Sequence, residues 1–171
     1  MPSVTIADLN AADAARFVAT LGHIFEESPW VAAGAATRRP FTSVDDLHRA
    51  MCMVVAEAPL ETRVALIAAH PDLVGRAALA GTLTPSSRAE QASAGLDRLE
   101  PEEIAMFSEL NAAYRARFDF PFVICVRENK KAAIIAGLQA RVRNERSAEI
   151  AAALGEIAKI ARLRLADLVR E

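Results

Sequence analysis

Two cysteines in 171 residues are too few for a disulfide framework, and Cys52 and Cys125 lack the close spacing of a metal or redox motif. Both lie in apolar runs and are expected to pack as small hydrophobic side chains. No apolar stretch approaches the roughly 18 residues that a membrane span requires. The opening MPSVTIADLN has neither a basic n-region nor an apolar h-region, so no secretory leader is expected. The ending Val169-Arg170-Glu171 is not a peroxisomal tripeptide. Charge of one sign is missing too: 20 Lys and Arg stand against 22 Asp and Glu, a formal net charge of -2. Without a basic stripe interleaved with aromatics, neither nucleic acid nor a membrane surface is expected as a partner. A cytoplasmic location fits these absences. Internal repeats, low-complexity tracts, linkers, a Walker loop, a dinucleotide fingerprint, a zinc motif and a nucleophile elbow are absent as well.

What remains is 53% hydrophobic and 25% charged, with only 7 Gly and 8 Pro and few aromatics. Alanine and leucine dominate, which favours helix over sheet. The expectation is an all-α, single-domain helical bundle covering residues 1–171. Asn10 can cap a first helix carrying Phe17, Leu21, Ile24 and Phe25, ending near Ser28-Pro29. Pro29 to Phe41 reads as an irregular connection. Ser43 and Asp46 resemble a capping box ahead of an inward stripe of Leu47, Met51 and Val54. A helix over about Leu60 to Ala69, with Val64 and Ile67 inward, is ended by His70-Pro71. Asp72 to Pro85 reads as an exposed connection, Ser87 begins another helix, and Pro101 opens the next. That helix carries Phe107, Leu110, Tyr114 and Phe118. Residues 120–126 break the helical pattern and predict one short buried strand or extended segment, whose backbone groups need partners. Helices over about Lys130 to Asn144 and Ser147 to Val169 close the chain.

The last helix holds the most informative oddity. At about 100° per residue, Ile150, Leu154, Ile157, Ala161 and Leu168 share one face, and Arg164 lies on that same face. An inward guanidinium needs an anion. That anion is either a protein carboxylate or a bound one gripped by the forked donor, unless the side chain snorkels outward. His70, at a helix C-terminus, feels a field that favours the imidazolium, suiting either a C-cap or a proton donor. Glu90 fits a Ser87-x-x-Glu90 capping box as well as a catalytic carboxylate, and Gln91 offers an amide suited to a urea or hydantoin edge. His48 and Cys52, spaced i, i+4, have no further ligand in view, so no metal is expected.

Several blocks occur in a telling order: Phe25-Glu26-Glu27-Ser28-Pro29-Trp30, Arg39-Pro40-Phe41, Ala69-His70-Pro71-Asp72-Leu73, residues 83–97 (LTPSSRAEQASAGLD), residues 120–125 (FPFVIC) and Ile160-Ala161-Arg162-Leu163-Arg164-Leu165. Over nearly its whole length the chain resembles the decarboxylases of 2-oxo-4-hydroxy-4-carboxy-5-ureidoimidazoline (OHCU). The resemblance implies an all-helical, usually dimeric fold and a cofactor-free carboxy-lyase that makes (S)-allantoin in urate degradation, with OHCU as its small-molecule partner. It implies His70 as proton donor, with Glu90 as the other catalytic group. It further implies substrate-binding groups at Pro71, at Ser87, Arg88, Ala89, Glu90 and Gln91, along Phe122, Val123, Ile124, Cys125 and Val126, and at Arg164. Asp119 departs from the family, which more often has glycine before Phe-Pro-Phe. The alternatives are a non-catalytic helical binding module that kept the fold, or an enzyme acting on a related ureido compound.

Overall fold

The computed structural model describes residues 4–171. The fold is all-α, apart from one two-residue strand pair among the described residues. The chain gathers into two compact units, one holding the described residues up to Ala69 together with Ala158–Glu171, the other His70–Ile157. No helix among the described residues is long and apolar enough to cross a membrane.

In the first unit, strand β1 (Val4–Thr5) leads into helix α1 (Ile6–Ala11). Thr5 and Asp8 form a reciprocal cap: the Thr5 hydroxyl accepts from the Asp8 N–H at 3.1 Å, and the Asp8 carboxylate from the Thr5 N–H at 3.0 Å. A second helix, α2 (Ala14–Leu21), starts at Asp13, whose carboxylate accepts from the Arg16 N–H at 2.8 Å. The single helix expected from Asn10 to near Ser28 is therefore two, because Thr5 and Asp13 each open a helix and Ala12 between them is extended, and the second ends at Leu21, leaving the buried Ile24 and Phe25 in the turns that follow. Asn10 is no cap; its amide pairs with both backbone groups of Phe41, each at 2.8 Å.

Pro29, read as a stop, is instead a start. Its fixed φ suits the first turn, and α3 (Pro29–Ala36) occupies most of the stretch expected to be irregular. In α4 (Val44–Glu57), Ser43 caps as expected, accepting from the Asp46 N–H at 3.0 Å. The Asp46 carboxylate reaches the Thr42 N–H at 3.0 Å rather than closing a box on Ser43. Leu47 and Met51 are buried, and Val55 follows them in place of Val54. Val54 covers Gly34 instead, so close that a Cβ there would lie 2.7 Å from its Cγ1. In α5 (Leu60–Ala68), Leu66 and Ile67 are buried and Val64 only partly so. The long helix α10 (Arg146–Leu168) ends in this unit, where strand β2 (Val169–Arg170) pairs in parallel with β1, Val4 beside Val169 and Thr5 beside Arg170.

The second unit contains α6 (Arg76–Leu79), a short helix inside the expected connection, then α7 (Pro85–Ser93), α8 (Pro101–Phe118), a 3-10 turn (Val126–Glu128), α9 (Lys131–Arg141) and the first part of α10. The buried face of α8 is Phe107, Asn111, Tyr114 and Phe118, and Leu110 is only partly covered. Tyr114 gathers the aromatic core, with ring centroids 4.7 Å from Phe118, 6.1 Å from Phe120 and 5.5 Å from Phe122. Residues 121–125 form no regular element and have no ladder partner among the described residues, and the expected segment ends one residue early because Val126 already opens the 3-10 turn.

Helix α8 ends at Asp119, which takes φ 62° and donates its N–H to the Arg115 carbonyl at 2.8 Å. That left-handed end is where glycine has no steric penalty. Asp119→Gly is expected to raise stability by about 1 kcal/mol and Asp119→Val to lower it by at least as much. Urea denaturation midpoints measure both, and a lower midpoint for the glycine variant would refute the assignment.

Candidate active site

The loop after α5 is held by hydrogen bonds at successive residues from Asp72 to Gly75. His70 follows the α5 C-cap Ala69 and is 6% exposed. Both carboxylate oxygens of Asp72 accept from Arg115 Nε at 2.9 Å. The Leu73 carbonyl accepts from Asn111 Nδ2 at 2.8 Å. The Val74 N–H donates to Gln91 Oε1 at 3.2 Å, and the Gly75 N–H to the Asp72 carbonyl at 3.2 Å. A side chain at Gly75 would put Cβ 2.6 Å from Asp72 Cβ, so the turn closes only on glycine.

Helix α7 supplies the next group. The expected Ser87–Glu90 box is not formed, because the helix starts earlier. Thr84 is the N-cap, its hydroxyl accepting from the Ser87 N–H at 3.3 Å, and Pro85 fills the first turn. Ser87 and Gln91 are buried, Glu90 is half-buried, and Arg88 and Ala89 are exposed. Arg88 Nη2 donates to the Gly81 carbonyl at 2.8 Å. The helix packs against the Val126–Glu128 turn, which brings Ser87–Gln91 to the end of the extended segment.

Side chains reach the backbone of that segment at two residues. The Val123 carbonyl accepts from Arg141 Nη1 at 2.8 Å. The Cys125 N–H donates to Glu156 Oε2 and its carbonyl accepts from Asn129 Nδ2, both at 2.8 Å. The Arg141 guanidinium lies 4.5 Å from the Phe122 ring centroid. It also donates through Nε to the fully buried Glu149 at 2.7 Å, which accepts from Asn144 Nδ2 at 3.0 Å and from the Tyr114 hydroxyl. Burial, then Glu149, pushes the Tyr114 phenol far above its usual range. Burial likewise raises the Cys125 thiol. Among residues 120–126, Ile124 alone is partly exposed.

Arg164 lies in the first unit and points inward, 6% exposed, as the helical pattern predicts. Its Nη1 stands 2.9 Å from Glu26 Oε2, a carboxylate itself 3% exposed, and donates to the carbonyls of Ile24 and His23 at 3.3 and 3.4 Å. Burial and then the Arg164 charge lower the His23 pKa. His48 Nε2 lies 2.8 Å from the Ala158 carbonyl and 3.4 Å from Cys52 Sγ.

Pattern reading did not single out the supporting residues Glu26, Asn111, Arg115, Arg141, Glu149 and Glu156. Asn111 had a usable signal, a lone amide in the apolar row Phe107, Tyr114 and Phe118. Glu149 had another, one residue ahead of the inward stripe that begins at Ile150.

Comparison with known proteins bears on the same residues. A family model described as OHCU decarboxylase matches residues 10–166. Among curated proteins, the 2-oxo-4-hydroxy-4-carboxy-5-ureidoimidazoline decarboxylase of Halalkalicoccus jeotgali is 42% identical over 98% of this chain and 93% of its own. That of Haloferax volcanii is 44% identical over 98% and 97%. Among solved structures, an (S)-allantoin synthase is similar at a TM-score of 0.79 and 29% identity, over 98% of this chain; the chain spans 54% of that longer protein.

Removing one member of a buried ion pair strands the other, at a cost of about 3–5 kcal/mol, whereas replacing both with apolar groups is far milder. Glu26→Gln is thus expected to lose about that much stability, and Glu26→Met combined with Arg164→Met to recover most of it. Chemical denaturation of the three proteins measures this, and a loss below about 1 kcal/mol for Glu26→Gln would place the pair among solvated ones.

Proposed function

The chain belongs to the OHCU decarboxylase family, and from that premise we propose that it is a carboxy-lyase converting OHCU to (S)-allantoin without a cofactor. The observation that carries the reading is the grouping of family residues in the second unit. The His70-Pro71 loop is tied by Val74 to Gln91, and α7 with Glu90 packs against the end of the extended segment.

The chemistry needs little more. The departing carboxylate of OHCU sits on a carbon beside a ring imine. When that carbon–carbon bond breaks and CO2 leaves, its electron pair flows into the imine, so no external electron sink is required. What the protein must supply is a grip on an anion, an orientation of the scissile bond over the ring, and one proton delivered to one face. We assign the proton to His70, which then fixes the configuration of the product carbon. Glu90 hydrogen-bonds the substrate hydroxyl or the imidazole. The ureido and hydantoin edges are read by Gln91 and by backbone groups at Pro71, along Ser87–Gln91 and along Phe122–Val126. Cys125 already spends both of its backbone groups on the protein, so in that segment Ile124 is the better placed residue. Arg164, in the first unit, enters as a substrate-anion donor on the family resemblance alone, as a forked guanidinium suited to a carboxylate.

We also take the two units to act as one domain, since the family resemblance runs through both. The mixed charge and sparse cysteines fit a cytoplasmic enzyme, and the family habit fits a homodimer.

Circular dichroism on freshly generated OHCU tests the reading, because OHCU decays unaided to racemic allantoin. Fast accumulation of S-enriched allantoin without added metal or cofactor is the expected result, with His70→Asn losing turnover while keeping substrate binding. Racemic product at the uncatalysed rate from folded protein would favour the binding-module alternative, and full activity in His70→Asn would remove the histidine from the mechanism.

A further inference from the structure

Val74 is the one β-branched residue among the described residues at positive φ, 53°. Such a residue clashes with its own backbone in that region, and the conformation persists only where neighbours over-determine it. Three side chains do so here: Arg115 on Asp72, Asn111 on the Leu73 carbonyl and Gln91 on the Val74 N–H.

Asn111 shows that this grip has a cost. It is 6% exposed, sits in the apolar row of α8, and its Oδ1 is buried with no hydrogen-bond partner. An orphaned buried acceptor destabilises, and a leucine would continue the row of Phe107, Tyr114 and Phe118 without it. A costly amide and a strained backbone meet at one loop, and that loop follows His70 directly.

We infer that Asn111 and Arg115, with Gln91, form a clamp that positions His70 for proton delivery, an inference that rests on the decarboxylase reading above. Pro71 is the stiff link. Its ring fixes its own φ, and it restricts the backbone of the residue before it, so a shift of residues 72–74 is passed to His70 rather than absorbed between them. Asn111 and Arg115 touch no reacting atom in this scheme. They are positioning residues, and Gln91 has one end of its amide committed to the loop.

The optical purity of the product separates positioning from mere support. A histidine that has drifted leaves part of the intermediate to be protonated by solvent from either face. Partial unfolding lowers the amount of enzyme without changing the product ratio of the folded remainder. The experiment uses the full chain bearing Asn111→Leu or Arg115→Gln, on fresh OHCU, at enzyme concentrations where catalysed flux exceeds spontaneous decay. Rate, KM and enantiomeric ratio are corrected for the uncatalysed reaction. The expected result is a fall in kcat on the order of tenfold, KM within about twofold of the unaltered chain, and product shifted toward the racemate. Asn111→Leu exchanges an orphaned Oδ1 for an orphaned Leu73 carbonyl, so its melting temperature is recorded beside the kinetics. If it does not fold, Arg115→Gln carries the same test from the partly exposed end of the clamp. Variants that keep the unaltered enantiomeric ratio, at whatever rate, would overturn the clamp alone. Racemic product from the unaltered chain would overturn both the clamp and the decarboxylase reading.

Discussion

The burial of one carboxylate organises most of the second unit. Glu149 has no exposed surface, and an ionised carboxyl taken out of water must be surrounded by donors. Its partners come from three places: Arg141 at the end of α9, Asn144 in the turn that follows, and Tyr114 in the middle of α8. Each is held in one rotamer by that duty. Because Arg141 also reaches the Val123 carbonyl and the face of Phe122, the same charge fixes the extended segment. Removing Glu149 would leave a guanidinium and a phenol without their acceptor and Val123 with an unanchored donor.

This arrangement replaces what a sheet would do. A buried extended stretch ordinarily finds its hydrogen bonds in neighbouring strands, regularly spaced and on both edges. Here side chains from α9, α10 and the 3-10 turn region take selected groups, Val123 on one side of Ile124 and Cys125 on the other. Side-chain anchoring is selective in a way that a ladder is not. A ladder consumes every second group along an edge, while point contacts can hold a backbone firmly and still leave a chosen peptide for another molecule to meet.

Elements with sustained amphipathic repeats were legible in the sequence: α4, α5, α8 and the closing helix, including the inward aim of Arg164. Boundaries failed where two local signals competed. Thr5, Asn10 and Asp13 are all plausible caps, and the choice went against Asn10 because the backbone of Phe41, 31 residues away, claims its amide. Thr84-Pro85 displaced Ser87 in the same way, and Pro29 is sterically as fit to open a helix as to end one. A two-residue strand has no periodicity to detect. In the site, the residues carrying family motifs could be named in advance; of their supports, only Asn111 and Glu149 left a local signal, and their partners left none. Glu149 meets Tyr114 across 35 positions and Arg164 meets the Ile24 carbonyl across 140, and nothing in either local pattern specifies such a partner.

The small β1–β2 pair has a mechanical meaning. Its strands run in parallel, so tension applied to residues before Val4 and after Arg170 pulls them in opposite senses along their own axes. The slanted, evenly spaced bonds of a parallel pair are then loaded together, in shear, rather than peeled apart one after another. A neighbour tugging on both ends of this chain would meet the latch in its stronger direction, and α1 and α10 behind it would feel no load until that latch had slipped.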